Sequence, residues 1–197
     1  MQSTNTSSKT HVQNPDGSWS RTEEYYSANY SLKSGMLPPA MRGLDTSTFS
    51  ISKDKEILAV VKKVEEYLVN GKLPQFNLVM VGGGFKALAA IAQIMRTGLK
   101  YDFSAQFVDN AMMLEQYFEN QSMRKNYDED ILALRLKSCR NNKNTSYIVH
   151  DVIEYRVLYK KYNILTIDSL ERFETSYSES LRDFIYDKSI FKMFYLK

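Results

Sequence analysis

Apolar positions crowd most densely into residues 76–109, FNLVMVGGGFKALAAIAQIMRTGLKYDFSAQFVD. The run 76–81 predicts a strand, Gly82-Gly83-Gly84 a turn, and residues 85–97 a helix closed by Gly98. In that helix only Lys86, Gln93, Arg96 and Thr97 are polar. With Ala90 they form one thin stripe, so the helix belongs at the centre of a core. Beyond it Tyr101, Phe103, Ala105 and Phe107 alternate with Asp102, Ser104 and Gln106, which predicts a strand with one wet face.

The flanking pattern is helical before this block and mixed after it. Ser52 is placed to cap a helix, Asp54 sits in its first turn, and Ile57, Val61, Val64 and Leu68 mark one face up to Gly71. Residues 110–125 predict a helix with Ala111, Leu114, Tyr117 and Phe118 inward. Asp128-Glu129-Asp130 then predicts a helix over 131–139. Residues 147–159 predict a long strand turning at Lys160-Lys161 into a partner strand over 162–167, a hairpin. Leu181, Phe184 and Ile185 suggest a last helix before the tail SIFKMFYLK. Residues 1–48, rich in Ser, Thr and Asn and broken at Pro38-Pro39, predict a disordered polar arm. The expected architecture is one α+β domain over 49–197. Its sheet is mostly antiparallel, with helices packed on one side.

Composition narrows the chemistry. Hydrophobic residues at 43% and charged residues at 25% are ordinary globular values, and a net charge of +3 permits an anionic partner without requiring one. A single Cys139 excludes an internal disulfide and a thiolate metal site. His11 and His150, far apart in sequence, argue against a zinc site or Ser–His–Asp catalysis. No metal or cofactor is expected. With no secretory h-region and no apolar run of the ~20 residues that span a bilayer, an intracellular protein without a transmembrane segment is expected.

Two constellations carry alternative functions. Gly82-Gly83-Gly84-Phe85-Lys86-Ala87 fits G-x-G-x-x-A between a strand and a helix, and VMVGGGFKALAAIA resembles the start of flavin- and nicotinamide-dependent oxidoreductases. That resemblance implies a small Rossmann-like enzyme in which Gly82, Gly84 and Ala87 line a pyrophosphate and Asp109 lies near a ribose. Against it, the second strand has a wet face, and the expected helix pair and hairpin break the strand–helix alternation. A glycine turn without a ligand is therefore preferred. The basic set Arg124, Lys125, Arg135, Lys137, Arg140 and Lys143 points to a nucleic-acid-binding accessory protein, although interleaved acids also suit a solvated surface.

Taken as an order of elements, the polar arm is followed across residues 53–108 by a helix ending at a glycine, an apolar helix ending at another, and then half-exposed strands. That order resembles the matrix proteins of rhabdoviruses. The resemblance implies a non-enzymatic viral structural protein that self-associates and bridges ribonucleoprotein to membrane during virion assembly. It would need no small-molecule substrate and would reside in the host cytoplasm, at membranes, and in the virion. On this reading Trp19, Tyr25, Tyr26 and Tyr30 serve self-association. Lys188, Phe191, Lys192, Phe194, Tyr195 and Lys197 contact an anionic membrane or partner.

Overall fold

Strand β3 (Asn77–Gly82) lies inside a five-stranded sheet and pairs in parallel with β6 (Tyr162–Ile167) on one side and β7 (Phe191–Leu196) on the other. Strands β4 (Ala105–Asp109) and β5 (Ile131–Leu136) complete the sheet in the order β4-β5-β6-β3-β7, every pairing parallel. The computed structural model describes residues 11–33, 36–50, 53–120, 126–138 and 143–196. They form a single α/β domain.

Helices cover both faces. On one lie α2 (Pro39–Arg42), α3 (Lys55–Val69) and α4 (Phe85–Lys100), whose buried side chains meet Leu78, Met80, Ala133 and Ile164 of the sheet. The other carries α5 (Asn110–Asn120), α6 (Lys143–Leu158), α7 (Leu170–Ser176) and α8 (Glu179–Tyr186), packed over Val79, Leu132, Leu134 and Leu165. Each fully buried large side chain contributes ~1.5–3 kcal/mol, so α4, with Ile91, Ile94, Met95 and Leu99 inside, is a main source of stability. Helix α3 buries Ile57, Val61, Val64 and Leu68, as its spacing predicts, and stops at Gly71 in the left-handed region (φ +68°).

This architecture corrects the expected antiparallel sheet with helices on one side. Two elements were read with the wrong period. Residues 131–136, ILALRL, form strand β5: an interior parallel strand is covered on both faces and shows an apolar run, here broken only by Arg135, rather than alternation. Residues 147–158 fall in helix α6, where Ile148, Val149, Val152, Ile153 and Arg156 are buried at helical spacing despite their β-branched and aromatic neighbours. With α6 a helix, β6 cannot close a hairpin and instead enters the sheet in parallel. The tail 191–196 becomes β7. The wet face of residues 105–109 follows from the edge position of β4.

A buried arginine fixes the amino-terminal end of the sheet. Arg156, 0% exposed, donates to Asn163 Oδ1 (2.6 Å) and to the carbonyls of Tyr127 (2.6 Å), Glu129 (2.8 Å) and Tyr162 (2.9 Å). Asn163 in turn donates from N and Nδ2 to Asn77 Oδ1, tying β6 to β3. Burial pushes the Arg156 pKa down to about 10, partly offset by Glu129, Asp128 and Asp130.

Residues 11–33 form a β1 (His11–Gln13) and β2 (Trp19–Arg21) hairpin followed by α1 (Glu23–Lys33), which lies against α4. Their anchor is Asp102, held at φ +71° just past α4. It pairs with Arg21 and Lys33 and accepts from Tyr25 Oη and Asn29 Nδ2. Asn29 Nδ2 also reaches the carbonyls of Leu99 (3.0 Å) and Lys100 (3.2 Å), which would otherwise be orphaned at the helix end. No helix among the described residues is long and apolar enough to cross a membrane.

Candidate functional site

The glycine turn closes the carboxyl end of β3. Gly82, Gly83 and Gly84 have φ of +77°, +73° and +40°, and Lys86 N donates to Gly83 O (2.7 Å) as α4 begins. The N-cap is Gly84, with no side chain to occupy the free N–H groups of the first turn. From β3 the chain enters α4 on one face of the sheet, and from neighbouring β6 it enters α7 on the other. Adjacent strands whose helices leave to opposite faces open a crevice at their carboxyl ends, where α/β sheets bind ligands.

Three side chains reach this crevice by register. Val81 stands opposite Ile167, so Asp168, the next residue, lies beside Gly82. Thr166 on β6 stands between Met80 of β3 and Arg135 of β5. Its hydroxyl is buried and has no hydrogen-bond partner among the described residues, and Thr166 is 5% exposed. Arg135 Nη2 reaches past it to Asp168 Oδ1 at 3.3 Å. On the opposite flank, Lys86 Nζ meets Asp54 Oδ1 at 2.8 Å. That ammonium, with the backbone N–H of Ser50 hydrogen-bonded to Asp54 Oδ2, holds the Asp54 carboxyl below its ordinary 3.8. A cleft of about 370 Å³ lies next to the pair, lined in part by Asp54, Lys55, Tyr195 and Leu196.

The glycines differ in what they allow. A Cβ on Gly82 would sit 2.8 Å from the Leu196 carbonyl oxygen, and one on Gly83 would sit 2.7 Å from Leu196 Cδ1. These two are small because β7 presses on them. Among the described residues nothing lies within 4 Å of a Cβ on Gly84, so they leave the amino end of α4 open.

Asp109 ends β4, three strands from β3, a separation of roughly 14 Å at ~4.8 Å per strand. It accepts from the Ala111 and Met112 N–H groups of α5 and pairs with Lys137 at 2.5 Å. Burial works against its charge, but Lys137 and these N–H groups outweigh it and lower its pKa. Ala87 is buried under the turn. Of the residues expected to serve self-association, Trp19 is 53% exposed, Tyr25 holds Asp102, Tyr26 stacks on Tyr101 (4.5 Å) and Tyr30 packs on the core. In the carboxyl-terminal set Phe191 is buried, Phe194 half-buried and Tyr195 exposed. Lys192 lies over the Phe76 ring, 4.3 Å from its centroid. Lys188 borders a groove with Tyr186 and Met193. Lys197 lies outside the described residues, as do Ser52, Arg124, Lys125, Cys139 and Arg140. Sequence reasoning missed Arg135 as part of this crevice, because it placed residues 131–139 in a helix. It also missed Thr166 and Asp168, whose only signal is their position at the end of a strand.

No family model and no curated protein sequence matches the chain. Solved structures do match. DnaA from Aquifex aeolicus bound to AMPPCP superposes with a TM-score of 0.61 at 14% identity, over 80% of this chain and 50% of that one. Replication initiator DnaA bound to AMPPCP and single-stranded DNA gives 0.60 at 17%, over 82% and 51%. DnaI gives 0.60 at 13%, over 82% and 95%. The chain thus spans about half the length of the DnaA structures and nearly all of the DnaI structure. At these identities the likeness is one of fold.

That fold overturns the resemblance to rhabdovirus matrix proteins and the functions drawn from it: the virion-assembly role, the self-associating membrane bridge and the non-enzymatic character. The parallel sheet places the chain among nucleotide-bound structures, which also removes the expectation of no small-molecule substrate. The matrix-like order of elements held only over 53–108, a stretch too short to reveal strand direction.

The residues at this turn differ from those that hold a magnesium-bound nucleotide in a P-loop. In a phosphate-binding P-loop, G-x-x-x-x-G-K-[ST], the hydroxyl and an acid at the end of a nearby strand hold the metal. Here the loop has three glycines, two of them against Leu196, and Ala87 follows Lys86 where the hydroxyl would stand. Strand β5 ends in Arg135-Leu136 and is followed by Lys137, with no acid among them, and the acid that follows β6, Asp168, is paired with Arg135. Among the described residues no group of three or more His, Cys, Asp or Glu could hold a metal ion. A metal held in the P-loop manner does not fit. A phosphate does: Gly84 leaves it room, the amino end of α4 and Lys86 offer positive potential, and Arg135 stands across the crevice.

Proposed function

We propose that the chain is a nucleotide-binding protein of the DNA-replication type, taking the phosphates of its nucleotide into the crevice between β3 and β6. The observation that carries this reading is the switch point itself. Gly84 and the amino end of α4 lie between the Lys86–Asp54 pair on one flank and the Arg135–Asp168 pair on the other, at the carboxyl edge of a sheet whose fold is shared with AMPPCP-bound DnaA. The bound nucleotide would act as a switch, ordering the turn and the starts of α3 and α4 through Lys86 and Asp54.

Titration of the purified chain with a fluorescent ATP analogue tests the reading by anisotropy. Saturable binding that unlabelled ATP displaces is expected. Lys86→Ala should weaken it about tenfold, the effect of removing a charge-assisted phosphate contact, without changing the fold seen by circular dichroism. Absence of binding at millimolar ligand would sink the proposal. Phosphate release measured on the same samples tests for turnover, for which Asp168 is the carboxylate beside the crevice.

A further inference from the structure

The geometry points to a phosphate site that works without a divalent cation, its charge supplied by Arg135 and its missing hydrogen bond by Thr166. This inference rests on the phosphate-binding reading and deepens it. A metal held in the P-loop manner needs the hydroxyl that follows the lysine, where this chain has Ala87, and a free acid, whereas the one that follows β6, Asp168, is paired with the Arg135 guanidinium. Arg135 is held by one ion pair to Asp168, with side chains 33% and 38% exposed, a contact that solvent weakens and a phosphate can displace. A guanidinium offers forked donors that match phosphate oxygens, and it keeps its charge at any physiological pH.

Thr166 supplies an independent indication. Its hydroxyl is buried, has no partner among the described residues, and stands in the same cross-strand row as Arg135, one strand from the glycine turn. A buried hydroxyl without a partner carries a desolvation cost that a ligand oxygen at this end of β6 would relieve. The two residues together define an anion-binding row: Arg135 as the charge, Thr166 as a neutral donor, and Asp168 as the group that occupies Arg135 when no ligand is present.

The test is the same nucleotide titration run in magnesium and in excess EDTA. Equal affinity in the two buffers is expected. Arg135→Gln should lower affinity about tenfold in both, and Arg135→Lys should restore part of it. Thr166→Val, nearly isosteric, should weaken binding while leaving the melting temperature unchanged or raised. Asp168→Asn gives a second route should Arg135→Gln fail to fold, since freeing Arg135 should tighten binding. Binding seen only with magnesium, or wild-type affinity in Arg135→Gln, overturns the cation-free site and leaves nucleotide binding standing. No binding in either buffer removes both.

Discussion

The two ends of the sheet use polar groups in opposite ways. At the amino end Arg156 is fully buried and gives its protons to three backbone carbonyls and to Asn163, which is locked to Asn77. These partners belong to the chain and cannot exchange without unfolding it. At the carboxyl end the charges form part-exposed pairs, Arg135 with Asp168, Lys86 with Asp54 and Lys137 with Asp109, and Thr166 has no partner. The amino end has orphans too, the Tyr162 hydroxyl and one Glu129 oxygen, but neither lies at a switch point. A polar group saturated by backbone holds strands in place. One held by an exchangeable ion pair in a crevice can be taken over by a ligand.

The largest effect that would sharpen this contrast is at the amino end. Arg156→Ala leaves three carbonyls and Asn163 Oδ1 short of a donor in a closed interior. It should cost about 3–5 kcal/mol, read as a lower midpoint of urea unfolding. A small shift would mean that water reaches those carbonyls and that the amino end is as open as the carboxyl end.

Within the turn, Gly83→Ala should cost about 2–3 kcal/mol by thermal melting, since its Cβ would enter the space of Leu196 at a left-handed φ. Gly84→Ala should cost about 1 kcal/mol, from backbone strain alone. Equal losses would show that Leu196 gives way readily and that β7 does not wall the turn.

The smallest effect is on pH dependence. Asp109 and Asp54 have lowered folded pKa values, so their pairs contribute stability that is present above the ordinary 3.8 and lost as pH falls through the lowered values. Lys137→Met should remove under ~1 kcal/mol of the stability gained across that acid window, because the pair is part-exposed. The acid limb of unfolding against pH, compared between the two proteins, checks this.

Legibility followed burial pattern. The strand and turn of 76–84 and the helices that follow 54 and 84 were readable from their distinct periods and from Gly71 and Gly82-Gly83-Gly84, but Gly98 does not close α4, which runs on to Lys100. The strand over 162–167 was readable as a strand but not in its direction. Residues 131–136 and 147–159 exchanged identities. A buried parallel strand and a buried helix both show apolar runs, and an acidic start at 128–130 tipped the first towards a helix. The glycine motif was found, but its partners were misassigned. Asp109 is the acid at the end of the next strand in sequence, yet the next strand in space is β6, which places Asp168 beside the turn.

By itself the sequence determined where the chain turns, which helices are central, and that a glycine turn joins a strand to the most apolar helix. Those features arise from local spacing and from glycine's freedom at positive φ. Only the tertiary structure decided that the strands are parallel, that β6 and not β4 borders β3, and that Leu196 covers two of the three glycines. These depend on contacts between residues 26 to 114 positions apart, which no local period encodes. The crevice is a product of that long-range order: Gly84, Arg135, Thr166 and Asp168 share no sequence motif and meet only because β5, β6 and β3 lie side by side.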